Sequence, residues 1–428
     1  MLGCLTNPSW GKTKEVEIIG KPIVNEDRVT IRVKVKDELE KPVMGLNYTN
    51  FNLEVDGEKV ELKNKDWKSP EETIPPPAWI VVLLDLSGSM KQQDSGGYTK
   101  LKGAVKAIRQ FVQLSAKRGG NTQIAIVPFG ESGHNCEGYT VNENTLDKFF
   151  PAGDFKLQNY LDYLAGLTPC AATNLYQPLD EAVKFLGNQE DSRFHIPESI
   201  EESEDLATPE PQPRLSIVLL SDGFHNKPYK ERDFERLTRL FQRHPEIVVH
   251  TLGYGLTPEK LAEKYSEKLE QLAQEKNEKD QIAKRRSATD DSANEKLIEQ
   301  LIKIAPEEVV DRENLAEIAQ LTGGIAEFSA NANDIAESLQ VFLNSLLGEY
   351  EITYTEPNAE RGSKHSVSVI VDSAESQSKS YSINVFGRSL SRPIRISMIV
   401  FTLLLLGLGG ILPFQMWAKK LKYEGIDD

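Results

Sequence analysis

Cysteine and histidine, the usual ligands of zinc, are scarce in this sequence. Its 428 residues include three cysteines, Cys4, Cys136 and Cys170, and six histidines. No CxxC pair is present and the histidines are scattered, so we expect no zinc site. So few cysteines fit a reduced protein, or a single disulfide in an oxidising compartment.

Basic residues are outnumbered by acidic ones. The chain has 50 lysines and arginines against 65 aspartates and glutamates, which gives a net charge of −15 and an isoelectric point near 5.1. An acidic surface repels phosphate, so we expect no nucleic-acid partner. The charge suits a divalent cation or a basic protein partner, although solubility alone would also explain it.

Several motifs of catalytic and ligand-binding proteins are also missing. There is no GxSxG nucleophile elbow and no GxxxxGK[ST] phosphate loop, and the stretch "DLSGSMKQQDSG" lacks most ligands of an EF-hand. The N-terminus shows no basic-then-apolar secretory signal. A serine hydrolase, a nucleotide-binding protein and an EF-hand protein are therefore disfavoured, and we expect the protein not to be an enzyme.

One uncharged segment near the C-terminus, residues 396–418, is long enough to cross a ~30 Å hydrocarbon core. Basic residues flank it on both sides, and Trp417 suits a membrane interface. This pattern predicts one C-terminal transmembrane helix, followed by a short tail at 419–428. Because both flanks are basic, the orientation stays open. The rest of the chain would be extracytoplasmic if a signal lies upstream, and cytoplasmic otherwise.

Alternating apolar residues mark both ends of the remaining chain. In the stretch "VTIRVKV", residues 29–35, every second residue is apolar, as in a strand that is buried on one face. We predict a β segment with a proline-rich linker at 1–77 and a second β segment at 349–387. The two would pair into one β-sandwich, with the intervening domain inserted between them.

The region between them, 78–348, alternates continuous apolar runs with helical periodicity. The runs "WIVVLLD" and "RLSIVLLSDG" are typical of strands buried on both faces, and "LKGAVKAIRQFVQLSAK" has apolar residues three and four apart. This predicts an α/β domain with a doubly wound, mostly parallel sheet. Two segments interrupt it: an acidic loop at 188–213, and a charged helical insertion at 258–305. The insertion is a solvated excursion or, alternatively, a partner-binding arm.

Hydroxyl and carboxylate side chains follow the predicted strands, at the edge where an open α/β sheet binds its ligands. Asp85, Ser87 and Ser89 come directly after the first strand, Asp222 follows "RLSIVLLS", and Thr173 lies in a loop between them. These oxygen donors suit a hard cation such as Mg²⁺. With only two carboxylates, the ion would remain electrophilic enough to accept an acidic group from a partner.

The same residues resemble those of a known family. The stretches "DLSGSM", "ATNLY" and "LLSDG" are similar to the metal-ion-dependent adhesion site (MIDAS) of von Willebrand factor A (VWA) domains, with all five positions matched in order. The resemblance covers roughly 78–348 and implies a VWA, Rossmann-like fold. It also implies that Mg²⁺ or Mn²⁺ contacts the serines and the threonine, with the aspartates often acting through water. The flanking β segments loosely resemble those that bracket such domains in some bacterial proteins.

The resemblance implies a protein-binding module for adhesion or complex assembly, in which an exposed Asp or Glu of the partner completes the metal shell, and segment 396–418 predicts that this module is membrane-anchored. An accessory or chaperone subunit that docks an ATPase or a membrane complex is the alternative. Helix and turn capping alone would explain each hydroxyl separately, but not five residues at matching loops. Cys136 and Cys170 would lie near the same edge, either as a disulfide that pins the Thr173 loop or as two free thiols. His225 is expected at the rim.

Overall fold

The computed structural model of the chain describes most of the sequence. It covers residues 13–196, 212–222, 230–271, 296–305, 308–383, 392–406 and 412–424, apart from residues 26, 74, 120, 134, 135, 171, 257, 297, 298, 302 and 361. The strands are β1 (Thr13–Asn25), β2 (Arg28–Asp37), β3 (Phe51–Val55), β4 (Glu58–Val60), β5 (Trp67–Lys68), β6 (Ala78–Asp85), β7 (Thr122–Phe129), β8 (Phe150–Pro151), β9 (Arg214–Ser221), β10 (Ile247–Tyr254), β11 (Ala326–Ser329), β12 (Tyr350–Thr355), β13 (Lys364–Val371), β14 (Ala374–Glu375) and β15 (Lys379–Ser382). The helices are α1 (Lys100–Arg118), α2 (Glu143–Leu146), α3 (Phe155–Ala165), α4 (Tyr176–Leu186), α5 (Lys230–Arg243), α6 (Pro258–Lys264), α7 (Arg312–Leu321), α8 (Ala332–Leu347), α9 (Arg392–Leu406) and α10 (Leu412–Glu424).

A six-stranded sheet forms the centre of the α/β domain. Its strand order is β11-β10-β9-β6-β7-β8, and every pair is parallel except β7 with β8. Counted along the chain from β6, this is the order 3-2-1-4-5-6 of a doubly wound sheet, whose topological switch point lies between the first and fourth strands. Here those strands are β6 and β9. The fold therefore places its ligand-binding crevice at their carboxyl ends.

Helices cover both faces of this sheet, which is why its central strands are apolar along their whole length. On one face, Ile108 of α1 and Leu339 of α8 pack against the strands. On the other face lie Leu179 of α4, Leu237 of α5 and Ile318 of α7. Strands buried on both sides do not carry an alternating pattern, so their residues are mostly apolar, and His250 and Thr251 in the middle of β10 are exceptions.

The strands before and after the α/β domain build two further sheets together. One has the order β1-β2-β12-β5, and the other has the order β14-β13-β3-β4 with β15 also paired to β13. Ile31 of β2 lies opposite Ile352 of β12, and Leu53 of β3 lies opposite Val369 of β13. The apolar faces of both sheets meet in one buried cluster. The α/β domain is thus inserted between the two halves of this sandwich.

A buried carboxylate connects the sandwich to the α/β domain. Glu349, directly before β12, accepts hydrogen bonds at Oε1 from Nε and Nη2 of Arg214 at 3.0 and 2.6 Å. Arg214 is the first residue of β9, so this contact joins the two units. Arg32 of β2 approaches the other oxygen of Glu349 at 3.5 Å.

The two interruptions of the α/β domain are described in part. Leu261 of α6 is buried together with Leu301 and Val309, so the described ends of the insertion pack against each other. Residues 272–295 of the insertion and residues 197–211 of the acidic loop lie outside the described residues.

The prediction of a transmembrane helix at 396–418 is wrong. The structure has two helices in this region, α9 of 15 residues and α10 of 13 residues, and residues 407–411 lie outside the described part. At a rise of ~1.5 Å per residue, neither helix reaches across a ~30 Å hydrocarbon core. Across the described ranges, no helix combines the length and the apolar character that a membrane crossing requires.

The predictions that depended on this helix are corrected with it: a C-terminal anchor, a single-pass location, and membrane contact through 396–418. Gly407, Gly409 and Gly410 belong to this uncharged segment, although glycine is a poor helix former. Pro413 lies in the first turn of α10, where proline is tolerated.

Candidate metal centre

Both predicted aspartates lie at the switch point of the central sheet. Asp85 is the last residue of β6, and Asp222 directly follows the last residue of β9. The two strands are hydrogen-bonded neighbours in the sheet, and both carboxylates are fully buried. A buried carboxylate needs hydrogen bonds or a cation to offset its lost hydration. The contacts of these two residues therefore define the site.

Asp85 is held by donors on both of its oxygens. The backbone N–H of Ser87 donates to Oδ1 at 2.7 Å, and the hydroxyl of Ser221 donates to Oδ2 at 2.5 Å. The backbone N–H of Leu86 donates to the carbonyl of Phe129 at 2.9 Å, which ties the loop after β6 to the end of β7. Asp85 therefore shapes the loop that carries the two serines.

The two serine hydroxyls converge on Asp222. The Ser87 and Ser89 Oγ atoms are 3.0 Å apart, Ser89 Oγ donates to Asp222 Oδ1 at 2.6 Å, and Ser87 Oγ lies 3.4 Å from the same oxygen. Ser89 belongs to the short 3₁₀ turn Gly88–Lys91, and Ser87 is the residue directly before this turn. Three oxygens from two loops thus form one compact triangle.

Thr173 lies in the loop beside this triangle and is buried. The N–H of Cys170 donates to the carbonyl of Leu86 at 3.0 Å, and Ala172 exchanges backbone hydrogen bonds with Glu131. Cys136 and Cys170 are joined by a disulfide. In the described part of the chain, the Thr173 hydroxyl makes no hydrogen bond to the other four predicted site residues. The structure therefore hydrogen-bonds four of the five together and holds the loop of the fifth next to them.

Lys100 is a member of this site that the sequence did not reveal. Its Nζ donates to Oδ2 of Asp222 at 2.6 Å, and its side chain is only 6% exposed. It is the first residue of α1, after the N-cap Thr99. The only local signal is a lysine in the first turn of a helix, where the helix dipole disfavours a positive charge.

Burial has the largest effect on the pKa of Asp85 in this site. Loss of hydration, and then the negative charge of Asp222, raise the pKa of Asp85 to about 7, although hydrogen bonds from Ser221 and Ser87 oppose the rise. Two adjacent carboxylates in a buried site repel each other when both are ionised. A cation that relieves this repulsion is therefore favoured here.

The donor chemistry fits a hard divalent cation. The described residues contain no group of three histidine, cysteine, aspartate or glutamate side chains that could hold a metal, and the site oxygens are those of serines and aspartates. The O–O separations of 2.6, 3.0 and 3.4 Å bracket the ~3 Å edge of an octahedron whose ligands lie at ~2.1 Å. Hydroxyl and carboxylate oxygens at these spacings suit Mg²⁺ or Mn²⁺.

The site lies directly below the surface. Gly88, between the two serines, and Ala172, next to Thr173, are both exposed. His225, which the sequence placed at the rim, lies outside the described residues. Within the described ranges, neither Ser87 nor Ser89 hydrogen-bonds to a histidine, which a serine nucleophile would need as its base.

A Ser–His–Asp arrangement is present elsewhere, in the sandwich, and sequence reasoning missed it. His365 Nε2 hydrogen-bonds to the hydroxyl of Ser363, and Nδ1 lies 2.7 Å from Oδ2 of Asp56. However, the backbone N–H groups of Ser363 and Gly362 donate to the carbonyls of Glu360 and Ile383. They are thus not available to stabilise an oxyanion, as hydrolysis requires. This network links strands of the sandwich.

Comparison with known proteins adds little to the interpretation of this site. No family model matches the sequence, and no curated protein matches it. Among solved structures, the chain is similar to a von Willebrand factor type A protein from Catenulispora acidiphila, with 11% identity, coverage of 88% of this chain and 74% of that one, and a TM-score of 0.37. The likeness is too slight to assign a family.

Two other solved structures are similar at the same level. The pilus adhesin SpaC from Lactobacillus rhamnosus GG shares 13% identity, with 81% of this chain and 35% of that chain covered and a TM-score of 0.36. The manganese-loaded TRAP protein of Plasmodium vivax shares 11% identity, with 74% and 96% covered and a TM-score of 0.30. The functional interpretation therefore depends on the site itself.

Proposed function

We propose that this chain is a protein-binding module that depends on a divalent metal ion, Mg²⁺ or Mn²⁺, held at the switch point of its α/β domain. A carboxylate of a partner protein would complete the metal shell. The observation that carries the proposal is the convergence of the Ser87 and Ser89 hydroxyls on Asp222 at distances suited to one small cation. We further propose that the protein is not an enzyme.

Each residue has a separate role in this proposal. The hydroxyls of Ser87, Ser89 and Thr173 would contact the ion, while Asp222 would supply charge. Asp85 would position the serine loop and contribute the second negative charge. Neutral hydroxyl ligands compensate the ion only weakly, so the ion, when bound, supplies a positive centre at the exposed rim that can attract an acidic side chain.

Metal binding is tested by isothermal titration of the protein with Mg²⁺ and with Mn²⁺. We expect one site per chain in the wild type, with affinity reduced at least about tenfold in Ser89→Ala and lost in Asp85→Ala. Asp162→Ala is the matched control, because Asp162 is 72% exposed and pairs with Arg109 on the surface. Equal heats in the wild type and Asp85→Ala would overturn the proposed metal site.

Recognition of a carboxylate is tested with a random peptide library selected on the immobilised protein in Mg²⁺. We expect the retained peptides to share an Asp or Glu, and to dissociate when the metal is chelated. Replacing that residue by Asn or Gln should abolish binding. Peptides without a common acidic residue, or binding that survives chelation, would contradict the proposed mode of recognition.

A further inference from the structure

The ion pair between Lys100 and Asp222 is part of the metal centre itself. Asp222 offers one oxygen to the Ser89 hydroxyl and the other to the Lys100 ammonium, both at 2.6 Å. The side chains are 6% and 0% exposed. A buried lysine is rare unless it is paired, because both charges lose their hydration. The ammonium therefore already neutralises a carboxylate on which the metal site depends.

Helix formation does not explain a lysine at this position. Lys100 is the first residue of α1, where the partial positive charge of the helix N-terminus repels a cation. Thr99 already caps the helix by accepting a hydrogen bond from the N–H of Lys102. What the Lys100 side chain contacts is Asp222, so its position is explained by the site and not by the helix.

We propose that Lys100 is an internal counter-ion of the metal centre, which stabilises the metal-free site and competes with the divalent cation for Asp222. This inference rests on the proposed metal-dependent function. Lys100 would thereby set the metal affinity, and the site would load only where the cation is concentrated enough to displace or tolerate the ammonium.

Lys100 competes with the metal ion because two cations at one carboxylate repel each other. An ion held by the serine hydroxyls would share Asp222 with the ammonium, in a buried site where charges are poorly screened.

The test is isothermal titration with Mg²⁺ at one fixed pH, together with thermal unfolding of the full chain with and without Mg²⁺. The variants are Lys100→Gln, which keeps a hydrogen-bond donor without the charge, and Lys100→Met, which removes both. Lys102→Met is the matched control, since Lys102 is exposed and lies two residues further along the same helix. Lys100→Arg keeps the charge, and circular dichroism establishes that each variant folds.

We expect Lys100→Gln and Lys100→Met to bind Mg²⁺ about tenfold more tightly than the wild type. They should unfold at a lower temperature without metal and show a larger rise in melting temperature when Mg²⁺ is added. Lys100→Arg and Lys102→Met should not bind Mg²⁺ more tightly. If Lys100→Met does not fold, Lys100→Gln alone suffices for the comparison.

The outcomes separate this inference from the function on which it rests. Affinity that is unchanged or weaker in the two neutral variants, with the wild type binding Mg²⁺, overturns the counter-ion role and leaves the proposed function standing. Binding by the neutral variants but not by the wild type supports the counter-ion role and overturns metal-dependent recognition by the natural chain. An absence of binding in all variants overturns both.

Discussion

The Ser221 hydroxyl donates a hydrogen bond to Oδ2 of Asp85 at 2.5 Å, and so joins the carboxyl ends of β9 and β6. The N–H of Ser87 holds the other oxygen of Asp85 at 2.7 Å. Each oxygen of Asp85 therefore accepts a hydrogen bond from a serine at a strand end, whereas the oxygens of Asp222 accept from the Ser89 hydroxyl and the Lys100 ammonium. The two aspartates of the site have different roles, one positioning the loop and the other compensating charge.

Replacing Ser221 tests the positioning role of Asp85. Ser221→Ala should lower the free energy of unfolding by about 1–2 kcal/mol, because it leaves a buried carboxylate oxygen without a donor. It should also weaken Mg²⁺ binding, since the serine loop is held less firmly. Urea denaturation and titration calorimetry measure the two effects. Ser216→Ala, a buried serine nearer the start of the same strand, is the control and should leave Mg²⁺ affinity unchanged. Equal effects of the two substitutions on Mg²⁺ affinity would contradict the positioning role.

The disulfide between Cys136 and Cys170 should stabilise both the fold and the Thr173 loop. The bond closes a segment with a sequence separation of 34 residues. The double variant Cys136→Ser, Cys170→Ser should lose about 3 kcal/mol of unfolding free energy, because the unfolded chain is less constrained. It should also bind Mg²⁺ more weakly. Reductant should destabilise the wild type by a similar amount and leave the double variant unaffected; a reductant-insensitive wild type would be inconsistent with this.

Glu349 should contribute to stability through the junction between sandwich and α/β domain. Glu349→Ala removes the carboxylate that Arg214 and Arg32 share. We expect a loss of about 2 kcal/mol in chemical denaturation, below the cost for a wholly buried pair because Arg214 is partly exposed. Glu351→Ala is the control: it breaks an exposed pair with Lys68 and should cost less than about 1 kcal/mol. Equal losses would show that the junction is not a special source of stability.

His250 should make the folded state sensitive to acid. It is fully buried, stacks on Phe342 and accepts a hydrogen bond at Nδ1 from the N–H of Ile325, so its ring is neutral. Burial, with a smaller effect of Lys34, lowers its pKa to about 3. Below the ordinary histidine pKa of ~6.5 the unfolded chain takes up a proton that the folded chain does not. The contribution of neutral His250 to the free energy of unfolding is therefore fully present above pH ~6.5 and is lost as the pH falls toward 3.

Between pH 7 and pH 5 this group should account for a loss of about 2 kcal/mol in unfolding free energy. His250→Gln keeps an acceptor for the Ile325 N–H but does not titrate in this range. The fall in stability from pH 7 to pH 5, measured by urea denaturation, should therefore be about 2 kcal/mol smaller in the variant. Parallel pH curves for the two proteins would show that His250 is not the group responsible.

In the C-terminal region, the hydropathy pattern of the sequence and the structure disagree. An uncharged run of apolar residues and glycines satisfies a hydropathy criterion, but a membrane crossing also requires one continuous helix. The structure describes α9 as far as Leu406 and α10 from Leu412, and neither of these helices is long enough to cross a membrane. Composition averages over a window, whereas the length of each helix depends on individual residues.

The sequence by itself determined the α/β sheet and the set of oxygen donors. Short continuous apolar runs that alternate with helical periodicity indicate strands buried on both faces, and parallel strands bring their following residues to one edge. For that reason the sequence alone predicts that Asp85 and Asp222 lie together. Only the tertiary structure decided that Lys100 pairs with Asp222, 122 positions away along the chain, and that Ser221 holds Asp85. Periodicity is a local property of the backbone, whereas the partner of a buried charge depends on how distant elements pack.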